Sequence, residues 1–280
     1  MNGQNTWKLR NGVEMPVIGF GTYMMTGTTV KDAVETAIDC GYVSIDCAAA
    51  YGNEYEVGEG IRNSGVNRQQ LFLTSKVNNL DRGYQKTKQA CEKSMKDLGV
   101  DYLDLYLIHW PAYRNQFENW EEINLETWRA MTEFYQEGKL RAIGTCNCKG
   151  HHLETLMKAS VKPMVNQIEY HPGNLQEDII TYNLEHEIQT EAWSPLGKGR
   201  VLRDERLEKI AERYGKSVAQ ICIRFSLQTG VIPIPKSREP KRIRANMEVF
   251  DFALSQEDIA WIRGLPPFGG SGLDPDHITF

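Results

Sequence analysis

The feature that most constrains the fold of this chain is a regular alternation of short apolar segments with amphipathic ones. Between the first two apolar segments, the apolar residues from Val30 to Ile38 recur at helical spacing until Gly41 ends the pattern. Eight apolar segments have the length of buried strands: 17–22, 43–46, 71–76, 102–108, 140–144, 163–168, 188–193 and 231–234. Strands that alternate with helices predict an α/β fold with parallel strands.

Chain length helps to choose between two α/β architectures. A (β/α)8 TIM barrel needs roughly 250 residues, and the 280 residues contain no Pro/Ser-rich linker or charge run that would divide them. The alternative is an open, doubly wound sheet made of two Rossmann-like halves. Gly19-Phe20-Gly21 lacks the third glycine that a Rossmann turn normally has under a dinucleotide. We therefore predict one barrel domain over residues 1–280.

Additional elements are predicted at both ends of the barrel. Asn11-Gly12, between short alternating segments, predicts an N-terminal β-hairpin within residues 1–17. Ser217 followed by Gln220 resembles a capping box before the helix that leads to the eighth strand. Ser255 is predicted to begin an extra C-terminal helix, and residues 264–280 a C-terminal loop.

Polar and aromatic side chains follow the predicted strands, at the point where each strand ends. The carboxyl ends of barrel strands meet at one mouth, where active sites lie. Tyr51 comes five residues after one of these strand ends and is expected at the same mouth. In strand order the terminal residues are Thr22, Asp46, Lys76, His109, Asn147, Gln167, Trp193 and Lys236.

Three stretches of the sequence carry a family resemblance. SIDCAAAYGNE from residue 44, LFLTSKV from residue 71 and YLDLYLIHWP from residue 102 resemble the aldo-keto reductase superfamily, almost end to end along the chain. The chain looks closest to the microbial 2,5-diketo-gluconate reductase and prostaglandin F synthase-like branch. The resemblance implies a (β/α)8 barrel that passes hydride from a nicotinamide to an aldehyde or ketone.

The resemblance also implies a catalytic tetrad. Tyr51 would donate the proton, and a cation beside a phenol lowers the pKa of that phenol. Lys76 would supply this cation, and Asp46 would keep Lys76 charged. His109 would hydrogen-bond and orient the substrate oxygen. Taken singly, these residues would rather indicate a structural ion pair, a bonded tyrosine and a core histidine.

For the nicotinamide, the resemblance implies hydrogen bonds from Asn147 and Gln167 to the carboxamide, and Cys146 stands where the family usually has a serine. Trp193 would stack on the nicotinamide ring. The loop after Trp193 would hold the pyrophosphate with backbone amides. Thr22, Ser194 and Leu196 are also predicted to bind the dinucleotide.

A basic segment, residues 236–246, stands out in a chain of net charge −5. It carries five cations and one anion and fits the 2′-phosphate of NADPH, with NADH also possible. Two residues depart from the family pattern: Glu239, where a small hydroxyl residue is common, and Ala245, where a glutamate usually contacts adenine. The residues predicted to bind here are Lys236, Ser237, Arg242 and Asn246.

The substrate is predicted to be a small aldehyde or ketone. The resemblance makes Tyr23, Trp110 and His109 part of its pocket, closed by two variable loops, Ala112 to Trp120 and Pro266 to Phe280. Two other hypotheses remain open: an NADPH-binding redox-sensing or scaffolding protein, and Schiff-base chemistry on Lys76.

Composition excludes several partners. The acidic charge disfavours nucleic acid, and no apolar run approaches the roughly 20 residues that span a bilayer. The N-terminus lacks a secretory signal, and six irregularly spaced cysteines predict reduced thiols without a metal, Cys146 and Cys148 included. We expect a cytoplasmic monomer that binds neither nucleic acid nor membranes.

Overall fold

The structure, a computed structural model, describes residues 6–113 and 116–279. Within these residues, eight parallel strands form one curled sheet, and their spatial order is their order in the chain. They are β3 (Phe20–Gly21), β4 (Ser44–Asp46), β5 (Phe72–Val77), β6 (Leu105–Ile108), β7 (Ile143–Cys146), β8 (Val165–Glu169), β9 (Gln189–Trp193) and β10 (Ile232–Pro233). The predicted (β/α)8 fold is confirmed, and the doubly wound alternative is wrong.

Hydrogen bonds between the first and last strands close the barrel. Gly19 N donates to Pro233 O at 3.0 Å, and Gly21 N donates to Pro235 O at 3.1 Å. A Cβ at Gly19 would lie 2.9 Å from Ile234 Cγ2, and one at Gly21 would lie 3.1 Å from the Ile234 carbonyl oxygen. Glycine at both positions therefore allows the two strands to approach closely.

The predicted N-terminal hairpin is present. β1 (Thr6–Lys8) pairs antiparallel with β2 (Glu14–Pro16), so that Trp7 faces Met15. Gly12 has a φ of +87°, the left-handed conformation that this turn requires. The hairpin buries Leu9 and Met15 in the main core. Residues 1–5 of the predicted segment lie outside the described residues.

Helices cover the outside of the barrel and bury one face each. In the first of them, Val30, Ala33, Val34 and Ala37 are buried, as their spacing predicts. The described residues contain α1 (Thr28–Asp39), α2 (Glu54–Asn63), α3 (Tyr84–Leu98), α4 (Trp120–Gln136), α5 (Gly150–Leu156), α6 (Glu177–Glu185), α7 (Glu205–Tyr214), α8 (Val218–Gln228), α9 (Pro240–Met247) and α10 (Gln256–Arg263).

Helix ends agree with the sequence better than strand ends do. The capping box of Ser217 and Gln220 forms at α8, and the Ser255 side chain caps α10. The apolar segment 102–108 contributes only Leu105–Ile108, and 163–168 becomes Val165–Glu169. The sequence analysis did not identify α7, which begins after the cap Asp204. No helix in the described ranges has both the length and the apolar character needed to cross a bilayer.

Candidate active site

A buried ion pair lies under the barrel mouth. Lys76 Nζ lies 2.7 Å from Asp46 Oδ1 and 2.8 Å from Asp46 Oδ2. The two side chains are 0% and 3% exposed. Lys76 Nζ also donates to the Cys47 carbonyl oxygen at 3.0 Å and to the Tyr51 hydroxyl at 3.4 Å. Every N–H of this ammonium can thus meet an acceptor inside the protein.

Tyr51 is placed by a short turn between β4 and α2. Residues Ala49–Tyr51 form one turn of 3-10 helix, and Gly52 follows with a φ of +64°. The buried Asn53 side chain then donates to the carbonyl oxygens of Thr22 and Met25, both at 2.9 Å. Asn53 therefore fixes the loop that carries Tyr23 next to Tyr51, and the two tyrosine rings lie 5.0 Å apart.

The acidity of Tyr51 differs from the expectation. Burial raises the pKa of Tyr51 more than the Lys76 ammonium lowers it, so its pKa lies above the usual value. Lys76 lowers the pKa of Tyr51 as predicted, but the same burial that places Lys76 beside Tyr51 also desolvates the phenolate and raises the pKa by more. Tyr51 consequently holds its proton at neutral pH.

Lys76 remains a cation in spite of its burial. Desolvation lowers the pKa of Lys76, but Asp46 and Tyr51 together raise it further, and the net pKa lies above the usual value. A charged amine is not a nucleophile, so this environment argues against Schiff-base chemistry.

His109 follows β6 and faces the Tyr51 ring at a centroid distance of 5.7 Å. Burial, with a smaller effect of the positive Lys76, lowers the pKa of His109 to about 3. Its Nδ1 is buried without a hydrogen-bond partner among the described residues. The imidazole is therefore neutral.

Residues predicted to hold the nicotinamide lie beside this tetrad. Trp193 Nε1 donates to Asn147 Oδ1 at 2.7 Å, and Asn147 Nδ2 donates to the His109 carbonyl oxygen at 3.0 Å. Gln167 lies one strand away with its amide nitrogen 2.8 Å from Asp46 Oδ2. It sits in the middle of β8 rather than at its end. The Thr22 hydroxyl donates to the Asp46 carbonyl oxygen at 2.9 Å.

The loop after β9 makes a tight turn over the mouth. Ser194 has a φ of +49°, and its carbonyl oxygen accepts from Gly197 N at 2.8 Å. The carbonyl oxygen of Leu196 accepts from Gly199 N at 2.7 Å. Lys198 Nζ then lies 5.7 Å from the Trp193 ring. The loop thus brings a cation above the stacking tryptophan.

The basic segment starts beside the mouth and continues along α9. The backbone of Gly21 approaches Lys236, whose Cβ would lie 3.7 Å from a Cβ built on Gly21. Burial, followed by the nearby Arg238, lowers the pKa of Lys236. Within the described ranges, neither Lys236 nor Arg242 forms an ion pair with an acid. Ser237 and Asn246 are largely buried nearby.

This arrangement fits an anionic dinucleotide. Cations without a protein counter-charge, at the N-terminal end of a helix, are a favourable environment for phosphate. The buried hydroxyl of Ser237 and the amide of Asn246 add groups that hydrogen-bond uncharged atoms.

A cavity of about 120 Å³ lies beside Trp110, the residue after His109, and the four tetrad residues themselves do not line it. Trp110, Asn147 and Trp193 form one side of it, and Gly270 and Leu273 of the C-terminal segment form the other. Exposed Tyr23 does not line this cavity and lies against the Tyr51 ring. Of the predicted pocket residues, Trp110 lines the cavity, and Tyr23 and His109 both face the Tyr51 ring. Residues 114–115 of the loop Ala112 to Trp120 and residue 280 of the C-terminal loop lie outside the described residues.

The C-terminal segment is tied to the barrel at two places that the sequence analysis missed. Glu169 accepts hydrogen bonds from Ser271 N at 3.0 Å and from Ser271 Oγ at 2.5 Å. Lys149 Nζ lies 2.6 Å from Asp274 and 2.7 Å from Asp276. These contacts hold residues 270–279 over the pocket.

A histidine cluster lies at the second tie. His151 Nε2 and His152 Nε2 lie 2.9 Å and 3.0 Å from the same Asp276 oxygen, a spacing that a metal site would also have. The backbone N–H of Lys149 donates to His152 Nδ1 at 3.2 Å. That bond assigns the ring proton of neutral His152 to Nε2, the nitrogen that a metal would need. The cluster is therefore better described as polar contacts around the Lys149–Asp276 ion pair than as a metal centre.

Glu191 is a functional candidate that the sequence analysis missed. It is fully buried on β9, opposite Gln167, and its Oε2 accepts from Gln167 Nε2 at 2.6 Å. Burial and then the negative charge of Asp46 raise the pKa of Glu191 to about 8. The sequence did contain a signal for Glu191. It is a charged residue two positions before Trp193, and so it lies on the same face of the strand.

Comparison with known proteins agrees with this geometry. The model of the aldo/keto reductase family matches residues 17–266. Glyoxal reductase of Bacillus subtilis is 49% identical over 279 residues, which cover 99% of this chain and 98% of that protein. Methylglyoxal reductase DkgA of Escherichia coli is 40% identical over 274 residues, 97% of each chain.

Among solved structures, an aldo-keto reductase of Bombyx mori in complex with NADP has a TM-score of 0.84 to this chain. The two are 34% identical, and the match covers 92% of this chain and 91% of that one.

Proposed function

The chain belongs to the aldo/keto reductase family and is an NADPH-dependent carbonyl reductase, and we propose that Tyr51 is the residue that protonates the carbonyl oxygen. The observation that carries this assignment is the buried Asp46–Lys76 pair with the Tyr51 hydroxyl 3.4 Å from the ammonium. A buried ion pair is costly to maintain, and neither sensing nor scaffolding requires one beside a tyrosine. The pair therefore favours an enzyme over a sensing or scaffolding protein.

NADPH supplies the hydride when it is bound, and the protein supplies the proton and the orientation. Tyr51 holds its proton at neutral pH because of its raised pKa. As the substrate oxygen gains charge, Tyr51 donates this proton, and the Lys76 ammonium stabilises the phenolate that forms. Asp46 keeps Lys76 charged and directed at Tyr51. Neutral His109 orients the carbonyl oxygen without competing as an acid.

The assignment of the dinucleotide contacts extends along the barrel mouth. Asn147 and Gln167 would bind the carboxamide, and Trp193 would stack on the ring. Thr22, Ser194 and Leu196 would line the middle of the molecule. Lys236, Ser237, Arg242 and Asn246 would hold the adenosine 2′-phosphate, which supports a preference for NADPH over NADH.

We propose small vicinal dicarbonyls as substrates. Two relatives that match nearly the whole chain are named glyoxal reductase and methylglyoxal reductase. In steady-state assays, glyoxal and methylglyoxal should have higher kcat/KM values with NADPH than hexoses or bulky ketones, and the reverse order would reject this substrate class.

Replacement of Tyr51 by phenylalanine tests the catalytic assignment. Loss of a general acid reduces rates by about 10²–10⁴-fold, so Tyr51→Phe should lower kcat for methylglyoxal by this factor. Titration of NADPH fluorescence should give an unchanged Kd, because Tyr51 contacts the reacting oxygen and not the dinucleotide.

Tyr84→Phe provides the matched control. Its hydroxyl also donates a hydrogen bond, to Glu133 at 2.7 Å, but on an outer helix. This variant should retain full kcat. If Tyr51→Phe kept more than a tenth of the wild-type kcat, Tyr51 would not be the proton donor.

We propose that the single barrel domain acts as a monomer in the cytoplasm. The six cysteines are free thiols, and the NADPH that the enzyme needs is maintained where thiols stay reduced. Light scattering at micromolar concentration and fractionation of cells test the two statements.

A further inference from the structure

Gln167 is held from two sides by carboxyl groups of the protein itself. Its amide nitrogen donates to Asp46 Oδ2 at 2.8 Å and to Glu191 Oε2 at 2.6 Å. Register places Gln167 directly opposite Glu191 on the neighbouring strand. All three side chains are buried, so solvent does not compete for these bonds. Both N–H groups of the amide are therefore used within the barrel.

This arrangement fixes which end of the amide faces the cofactor side. A flipped Gln167 would place its carbonyl oxygen, which cannot donate, against Asp46 Oδ2, a carboxylate oxygen that needs a donor. In the unflipped orientation, the oxygen Oε1 points away from the carboxyl groups, and Cys146 Sγ lies 3.7 Å from it. Oε1 is thus available as an acceptor beside the predicted nicotinamide site.

Glu191 is suited to this task because it need not carry a charge. Lys76 is already neutralised by Asp46, and a second carboxylate in the same layer would be an unpaired buried charge. The raised pKa of Glu191 keeps it protonated at neutral pH. A protonated carboxyl still accepts a hydrogen bond through its carbonyl oxygen.

We propose that Glu191 is a positioning residue that, with Asp46, turns Gln167 Oε1 toward the cofactor as the acceptor for the N–H₂ group of the nicotinamide carboxamide. The proposal rests on the proposed contact between Gln167 and the cofactor. It gives the site selectivity for a primary carboxamide on the pyridine ring, over ring substituents that carry a carbonyl but no N–H.

The 3-acetylpyridine analogue of NADPH isolates this contact, because a methyl group replaces the amide nitrogen. Kd values for NADPH and for the analogue are measured by fluorescence titration without substrate. One hydrogen bond corresponds to about a tenfold difference, so the wild type should prefer NADPH by that factor. Glu191→Met removes the acceptor and should reduce the preference to about twofold. Glu191→Gln retains an acceptor oxygen and should keep it.

Gln167→Met separates the possible failures. It should abolish the preference, and Glu191→Met added to it should cause no further loss. If Gln167→Met keeps the preference, Gln167 does not contact the carboxamide, and both assignments are overturned. If Gln167→Met loses the preference for NADPH over the analogue but Glu191→Met keeps this preference, only the role of Glu191 is overturned. Circular dichroism checks folding, and Glu191→Leu replaces Glu191→Met should that variant not fold.

Discussion

Separating the buried charges of Asp46 and Lys76 tests the physical basis of the site. Asp46→Asn leaves the Lys76 ammonium, which is 0% exposed, without a counter-charge. Lys76→Met leaves the Asp46 carboxylate with Gln167 as its donor. Loss of one partner of a buried ion pair costs about 3–5 kcal/mol in the free energy of unfolding, and we expect each single variant to lose that amount.

The double variant should lose much less than the sum of the singles. With both charges removed, no unpaired charge remains in the barrel, so the two effects should couple by about 2–3 kcal/mol. Its kcat should nevertheless stay at least about 100-fold below that of the wild type, because Tyr51 no longer has a cation to stabilise its phenolate. Stability and turnover would then respond differently to the same pair of substitutions.

Urea unfolding followed by tryptophan fluorescence, with equal m-values required for comparison, measures these differences. Lys93→Met is the matched control. Lys93 forms an i,i+4 ion pair with Asp97, and the Lys93 side chain is 72% exposed. Its replacement should lower the free energy of unfolding by less than about 0.5 kcal/mol. Single variants that lose less than about 1 kcal/mol, or a double variant that is simply additive, would refute the argument from buried charge.

Three further predictions concern the cofactor and pH. Arg242→Ala should raise KM for NADPH at least tenfold and leave KM for NADH unchanged, and equal effects on both would reject a 2′-phosphate contact. Because the pKa of His109 is lowered to about 3, kcat/KM for reduction should show no acid-side loss from a histidine between pH 5 and 7, as measured in a pH–rate profile. The pKa of Glu191 rises from 4.5 to about 8 on folding, so between these values the unfolded chain releases a proton that the folded protein keeps. The wild type should therefore lose stability relative to Glu191→Gln as pH rises from 5 to 8, and parallel stability curves would contradict a buried neutral Glu191.

The sequence predicted those parts of the fold that depend on local pattern. Helical spacing located α1, and the Asn11-Gly12 turn located the hairpin, because periodicity and turn geometry are local properties. Strand limits were less accurate, as the segment 102–108 shows, since hydrogen bonds to a neighbouring strand decide where a strand ends. Helix α7 lies in a polar stretch whose few buried residues, such as Leu207 and Ile210, gave little signal.

The sequence also predicted which residues of the tetrad meet, because strand ends in a barrel converge. It did not predict their energetics. The net pKa of Tyr51 depends on how far burial exceeds the effect of Lys76, and that balance requires the three-dimensional environment. Glu191 was missed because its importance comes from facing Gln167 across two strands. The tie between Lys149 and Asp274 joins residues far apart in the chain, which no local pattern indicates.

The seam between β3 and β10 has a consequence for how the enzyme is made. The backbone N–H groups of Gly19 and Gly21 have their acceptors near the other end of the chain, at Pro233 and Pro235. The basic helix α9 follows shortly after Pro235. A nascent polypeptide that ends before Pro233 therefore lacks the hydrogen-bond acceptors that close the barrel and also lacks the basic helix α9.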